Sequence, residues 1–123
     1  MNLKQYIKEQ KECHITTEEQ PGKYIVWLLC DTQKIGRLTI QTNFDDKHNW
    51  LTGFYIKPLY RHKGYARQMF EAAKQKATKD IILKIYPYED ESKNIEQLRE
   101  MYKKFGFVEL KNTRLKDYMI YRI

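Results

Sequence analysis

The chain predicts an α/β fold with a mixed, mainly antiparallel sheet and one parallel β-α-β crossover. Three observations carry this. Tyr24–Cys30, Ile35–Gln41 and about His48–Ile56 are apolar or alternating runs parted by short turn sequences, as in consecutive antiparallel strands. From Gly64 onward the apolar residues Ala66, Met69, Phe70, Ala73 and Ala77 fall at helical spacing. The β-branched run Ile81–Ile85 follows, and strand, helix, strand in that order implies a right-handed parallel crossover between 48–56 and 81–86. With 123 residues and no repeat, low-complexity tract or linker, residues 1–123 are expected to form a single domain.

Taken in order, Met1 to about Glu12 can form a short helix with Leu3, Tyr6 and Ile7 on one side. Cys13–Thr17 reads as a short strand and Gln20-Pro21-Gly22-Lys23 as a turn. Tyr24–Cys30 is apolar on both faces, as in a fully buried strand, and Asp31–Lys34 turns it back into the cleaner alternation of Ile35–Gln41. The loop Asn43–Lys47 leads into the key strand. Simple alternation puts Trp50, Thr52, Phe54 and Ile56 on one face of it, and Leu51, Gly53 and Tyr55 on the other. A glycine inside a strand marks a bulge or the close approach of a ligand. Beyond the loop Pro87–Lys93, Asn94 with Gln97 can cap a second helix whose buried stripe is Ile95, Leu98, Tyr102 and Phe105. Gly106 ends that helix. Phe107–Leu110 and Asp117–Arg122 are the last strands.

A hydrophobic fraction of 41%, with 10 tyrosines and 2 tryptophans, suffices for one core despite 32% charged residues. The net charge of +7 favours anionic partners. Because the lysines are spread along the chain instead of massed in one block, nucleic acid is not the favoured one. Cys13 and Cys30 make neither a metal-binding pattern nor a disulfide framework, so no metal is expected. The polar first residues lack a signal-peptide pattern and no apolar run reaches membrane-spanning length. A cytoplasmic protein without a membrane partner is expected.

The chemistry centres on Phe54-Tyr55-Ile56-Lys57-Pro58-Leu59-Tyr60-Arg61-His62-Lys63-Gly64-Tyr65-Ala66. It begins as a strand, turns at a proline, and enters a helix at a glycine. The first turn of a helix offers free backbone N–H groups and the positive end of the dipole. Gly64 allows close approach, and Arg61 and Lys63 add charge. This is an anion cradle, suited to phosphate. It is neither a P-loop nor a dinucleotide fingerprint, since both glycine patterns are missing.

The pattern hydrophobic-x-P-x-x-R-x-x-G-x-A resembles the acyl-CoA pyrophosphate loop of the GNAT superfamily of N-acyltransferases. Tyr102-Lys103-Lys104-Phe105-Gly106-Phe107 is similar to that family's Y-x-x-x-G-F. The two motifs stand in the family's order, and the resemblance spans roughly Lys23 to Arg122. One departure is plain: members usually carry helices between the first and second strands, and here only Glu18–Gly22 is available.

The resemblance implies an acetyl-CoA-dependent N-acetyltransferase with direct transfer to an amine. It implies that the strands matching 48–56 and 81–86 splay, that backbone groups of Phe54 and Ile56 pair with the pantetheine arm, and that amides from His62 to Ala66 bind the pyrophosphate. Within that loop Arg61 and Lys63 are auxiliary charges, and Arg61 has an equal claim to holding the turn through loop carbonyls. Tyr102 matches the residue that protonates the departing thiolate, and Asn94 lies near a cofactor-contacting asparagine but one residue off register, where an N-cap explains it as well. No general base is named. His48, Asp46 and Glu89 are the candidates, and Lys84 stands where some relatives carry glutamate. In the family those helices often wall the acceptor site, so their absence implies an open acceptor side and a macromolecular amine, a protein lysine or N-terminus ahead of tRNA. The alternatives are a non-catalytic acyl-CoA-binding module and an RNA-directed acetyltransferase, and assembly as a homodimer is left open.

Overall fold

The computed structural model describes residues 12–86, 94–111, 114 and 116–123. The expected helix at Met1–Glu12, the loop Pro87–Lys93 and Glu89 lie outside these, except for Glu12. Seven strands form one sheet: β1 (Cys13–Gln20), β2 (Lys23–Cys30), β3 (Gln33–Gln41), β4 (Asn49–Ile56), β5 (Ile81–Lys84), β6 (Val108–Glu109) and β7 (Tyr118–Tyr121). Two helices, α1 (Tyr65–Lys76) and α2 (Ile95–Lys104), complete the described elements with a 3-10 turn at Pro58–Tyr60. The order across the sheet is β1-β2-β3-β4-β5-β7-β6, and β4–β5 is the parallel pair among antiparallel neighbours.

No helix stands between β1 and β2. The two strands meet through Pro21-Gly22, with Gly22 at φ 76, the left-handed value that the third residue of a type II turn requires. Cys13 and Cys30 face each other in this pair and are joined as a disulfide. The expectation of unbridged cysteines is therefore corrected: cross-strand register brings together two residues that spacing alone does not pair. The correction also removes the ground for expecting a reducing compartment. No helix among the described residues is long and apolar enough to cross a membrane.

Alternation along the key strand is corrected as well. Thr39 pairs with Gly53 while Ile40 pairs with Leu51, so Thr52 is an extra residue opposite β3. One inserted residue inverts the pleat. Leu51 thus joins Ile56 in the core, while Trp50 leaves the face it was expected to share with Ile56.

Both helices cover one face of the sheet. The Tyr24 hydroxyl donates to the Ala73 carbonyl of α1 at 2.8 Å, tying β2 to that helix. Met69, Phe70 and Ala73 of α1 are fully buried, and Phe70 stacks on Phe105 at 5.6 Å and meets Phe107 at 5.1 Å. Phe70 therefore joins α1 to the end of α2, and truncating such a ring to alanine costs about 3–5 kcal/mol.

Candidate functional site

The site begins where β4 leaves β5. Pairing between them covers Asn49 to Leu51 on β4, after which β4 runs on to Ile56 against β3 alone. The Lys57 N–H donates to the Ile35 carbonyl on the β3 side at 2.9 Å. Alternation then turns the peptide groups of Phe54 and Ile56 to the edge that β5 has left. Buried backbone groups need partners, so an opened edge of this kind suits an extended ligand. The Ile56 carbonyl already accepts from Arg61 Nε at 2.7 Å.

Arg61 is buried beneath the turn it closes, and its guanidinium also lies 5.1 Å from the Tyr55 ring centre. Of the two roles expected for Arg61, turn-holding is directly visible. His62 adopts φ 63 and Gly64 φ 86, so the loop enters α1 through two left-handed residues. Gly64 is the N-cap, without a side-chain hydrogen bond to the first turn, and nothing lies within 4 Å of where a Cβ would stand on it. Free amides at the start of α1 and open space above Gly64 coincide.

A cavity of about 340 Å³ opens at this point. Arg61, His62, Gly64, Tyr65 and Ala66 line it with Ile56, as the sequence suggests, whereas Lys63 is exposed beside it with its ammonium 5.9 Å from the Tyr60 ring centre. The far wall comes from Met101 and Lys104 of α2 and from Phe105, which caps it, and Arg67 bridges the two helices by donating to the Lys104 carbonyl at 3.1 Å. Arg67 and Lys104 escaped the sequence reading. Arg67 sits one residue past the glycine motif and off the apolar stripe of α1, and Lys104 reaches the site only through helix packing. None of the residues named in the lining is acidic.

Tyr102 is 7% exposed, on the core side of α2 and not in the cavity lining. Its ring meets Phe105 and Phe107 edge to face. Asn94 caps α2: its side chain accepts from the Gln97 N–H at 2.9 Å, while the Gln97 side chain accepts from the Asn94 N–H at 3.0 Å. That capping box accounts for the Asn94 side-chain oxygen.

Two of the candidate bases, Asp46 and His48, stand apart from the cavity. Asp46 and His48 precede β4, and at about 3.3 Å per residue His48 lies roughly 20 Å along the strand from Phe54. His48 Nδ1 is 3.2 Å from Asp45, whose carboxylate also accepts from the Trp50 indole at 2.8 Å and from the Lys47 and His48 amides. Those hydrogen bonds, the Trp50 donor first, hold the Asp45 carboxyl well below the usual carboxylate range. Lys84 ends β5 with its ammonium 5.2 Å from the Tyr86 ring centre and 5.8 Å from that of Tyr118.

Comparison with known proteins agrees with this fold. The fold resembles the PaiA N-acetyltransferase from Thermoplasma acidophilum in complex with coenzyme A (TM-score 0.65, 19% identity, covering 83% of this chain and 62% of that one). It also resembles an acetyltransferase from Thermus thermophilus (TM-score 0.69, 13% identity, 85% and 66%). A third is the GNAT family N-acetyltransferase YhbS from Escherichia coli in complex with CoA (TM-score 0.63, 14% identity, 92% and 82%). The chain thus spans less than two thirds of the length of the first two. No curated protein sequence matches it. The family model described as the acetyltransferase (GNAT) domain matches residues 22–109, most of the chain, and the protein belongs to the GNAT acetyltransferase family.

Proposed function

We propose that the protein binds acetyl-CoA in the gap between β4 and β5 and transfers the acetyl group directly to a primary amine. One observation carries this: the opened edge at Phe54 and Ile56 runs into the cavity over Gly64, where helix amides and cations converge. The amides of His62 to Ala66 hold the pyrophosphate, with Lys63 and Arg67 as surrounding charge. Bound acetyl-CoA supplies the activated thioester. The Phe54 and Ile56 edge orients the pantetheine arm like an added strand, and a β4 N–H polarises the carbonyl. Tyr102 donates the proton that the departing thiolate takes up. A phenol near pKa 10 faces a modest uphill step toward a thiolate near 8.5, which placement offsets. Water at the open face takes the proton of the acceptor amine.

The acceptor is macromolecular, a protein lysine or N-terminus. The two-residue β1–β2 turn supports this, because no helices rise there to wall a pocket that a small amine needs for affinity. A second reading, an acyl-CoA-binding module without turnover, draws on the burial of Tyr102 among Phe105 and Phe107. A mass-spectrometric screen of the protein with acetyl-CoA against peptide, polyamine, aminoglycoside and tRNA pools tests both. Acetylated peptide is the expected result. Acetyl-CoA binding with no product in any pool selects the module, and product among the small amines alone overturns the macromolecular acceptor.

A further inference from the structure

The sheet face turned away from both helices carries a basic groove. Trp27 pairs with Arg37 across β2–β3 and Arg37 with Tyr55 across β3–β4, so the three side chains form one row. Their chain neighbours Val26, Leu28, Leu38 and Ile56 are buried in the core, which places the row on the opposite face. Lys34 and Lys57 complete the rim of a cavity of about 220 Å³. Three cations line it, all exposed, and no carboxylate does among the described residues. The Trp27 indole N–H is buried and has no hydrogen-bond acceptor among the described residues, so this wall also holds an unsatisfied donor.

The rings argue against a nucleobase. Lys34 already stands 4.2 Å from the Trp27 ring centre and Arg61 5.1 Å from that of Tyr55. A base would have to displace a cation to stack there, whereas a carboxylate needs only the cations. Position matters too. Tyr55 lies between Phe54 and Ile56, whose peptide groups face the opened edge, so the groove is lined by a residue of the strand segment assigned to the thioester arm.

We propose that this groove is the acceptor subsite, and that it takes the carboxylates of an acidic peptide segment carrying the amine to be acetylated. The proposal rests on the acetyl-transfer reading above and specifies its acceptor.

Binding is measured by titration calorimetry on the full chain with coenzyme A present, so that the result does not depend on turnover. The probes are two peptides of equal length with one central lysine, flanked by Glu and Asp in one and by Gln and Asn in the other, and a single-stranded RNA oligonucleotide. The acidic peptide is expected to bind at least about tenfold more tightly than the neutral one. That preference should shrink between 50 and 200 mM salt and disappear in Arg37→Glu, an exposed position, with coenzyme A affinity unchanged. A wild-type protein that binds both peptides equally overturns the proposal, and so does RNA that displaces the acidic peptide. If the acidic peptide binds selectively but no peptide is acetylated, the groove stands and the acetyl-transfer reading falls.

Discussion

The Tyr102 and Phe107 rings meet edge to face at 5.6 Å, and the Phe107 N–H donates to the Tyr102 carbonyl at 3.0 Å. With the Gly106 N–H bonded to the Lys103 carbonyl at 3.0 Å and Gly106 at φ 104, this is a Schellman cap with its hydrophobic contact. The Y-x-x-x-G-F motif therefore has a local structural reason independent of catalysis. Gly106→Ala is expected to destabilise the fold by about 2 kcal/mol or more, through left-handed strain and a Cβ only 2.9 Å from the Tyr121 ring. Tyr102→Phe keeps the ring contacts, so the variant should stay folded while turnover falls about 10²–10⁴-fold. Wild-type turnover in that variant returns Tyr102 to a packing role.

Gly64→Asp sets a carboxylate over the free amides of α1. Coenzyme A affinity should fall at least about tenfold by calorimetry. The left-handed φ of 86 adds about 1 kcal/mol of strain, visible in the melt. Gly64→Ala carries the strain without the charge and separates the two effects. Equal affinity in both variants and the wild type removes the cradle.

Burial pushes the Tyr24 hydroxyl up to about 12. The folded protein therefore holds a proton that the unfolded chain releases near pH 10, and stability falls as pH rises from about 10 to 12. Tyr24→Phe loses the hydrogen bond to the Ala73 carbonyl, about 1 kcal/mol at neutral pH. Its stability curve should be flatter than the wild type above pH 10. Parallel alkaline denaturant curves place the loss elsewhere.

The Cys13–Cys30 bond closes a span of 17 residues. In the chain-entropy account such a loop contributes about 3 kcal/mol. Reduction should lower the melting temperature by several degrees, and thiol alkylation before and after reduction should count two protected cysteines. Alkylation of both without reduction shows that the bond does not form in solution.

Pattern in the sequence fixes what depends on near neighbours in the chain. The succession of strands along the chain, the helix at Gly64, the cap at Asn94 and the end of α2 at Gly106 follow from periodicity and turn chemistry, because each is settled within a few residues. The loop and helix start of the proposed cradle are legible for the same reason, since they are one continuous stretch. Other features needed the folded chain. Thr52 is extra only relative to β3, so the inversion of the β4 pleat depends on a partner strand. Cys13 meets Cys30 because β1 and β2 pair in a particular register. Arg67, Met101 and Lys104 share a cavity because Phe70 stacks on Phe105 and brings two helices together. The Trp27–Arg37–Tyr55 row likewise exists only across three strands. Packing between distant segments follows shape and register, and no local pattern carries either.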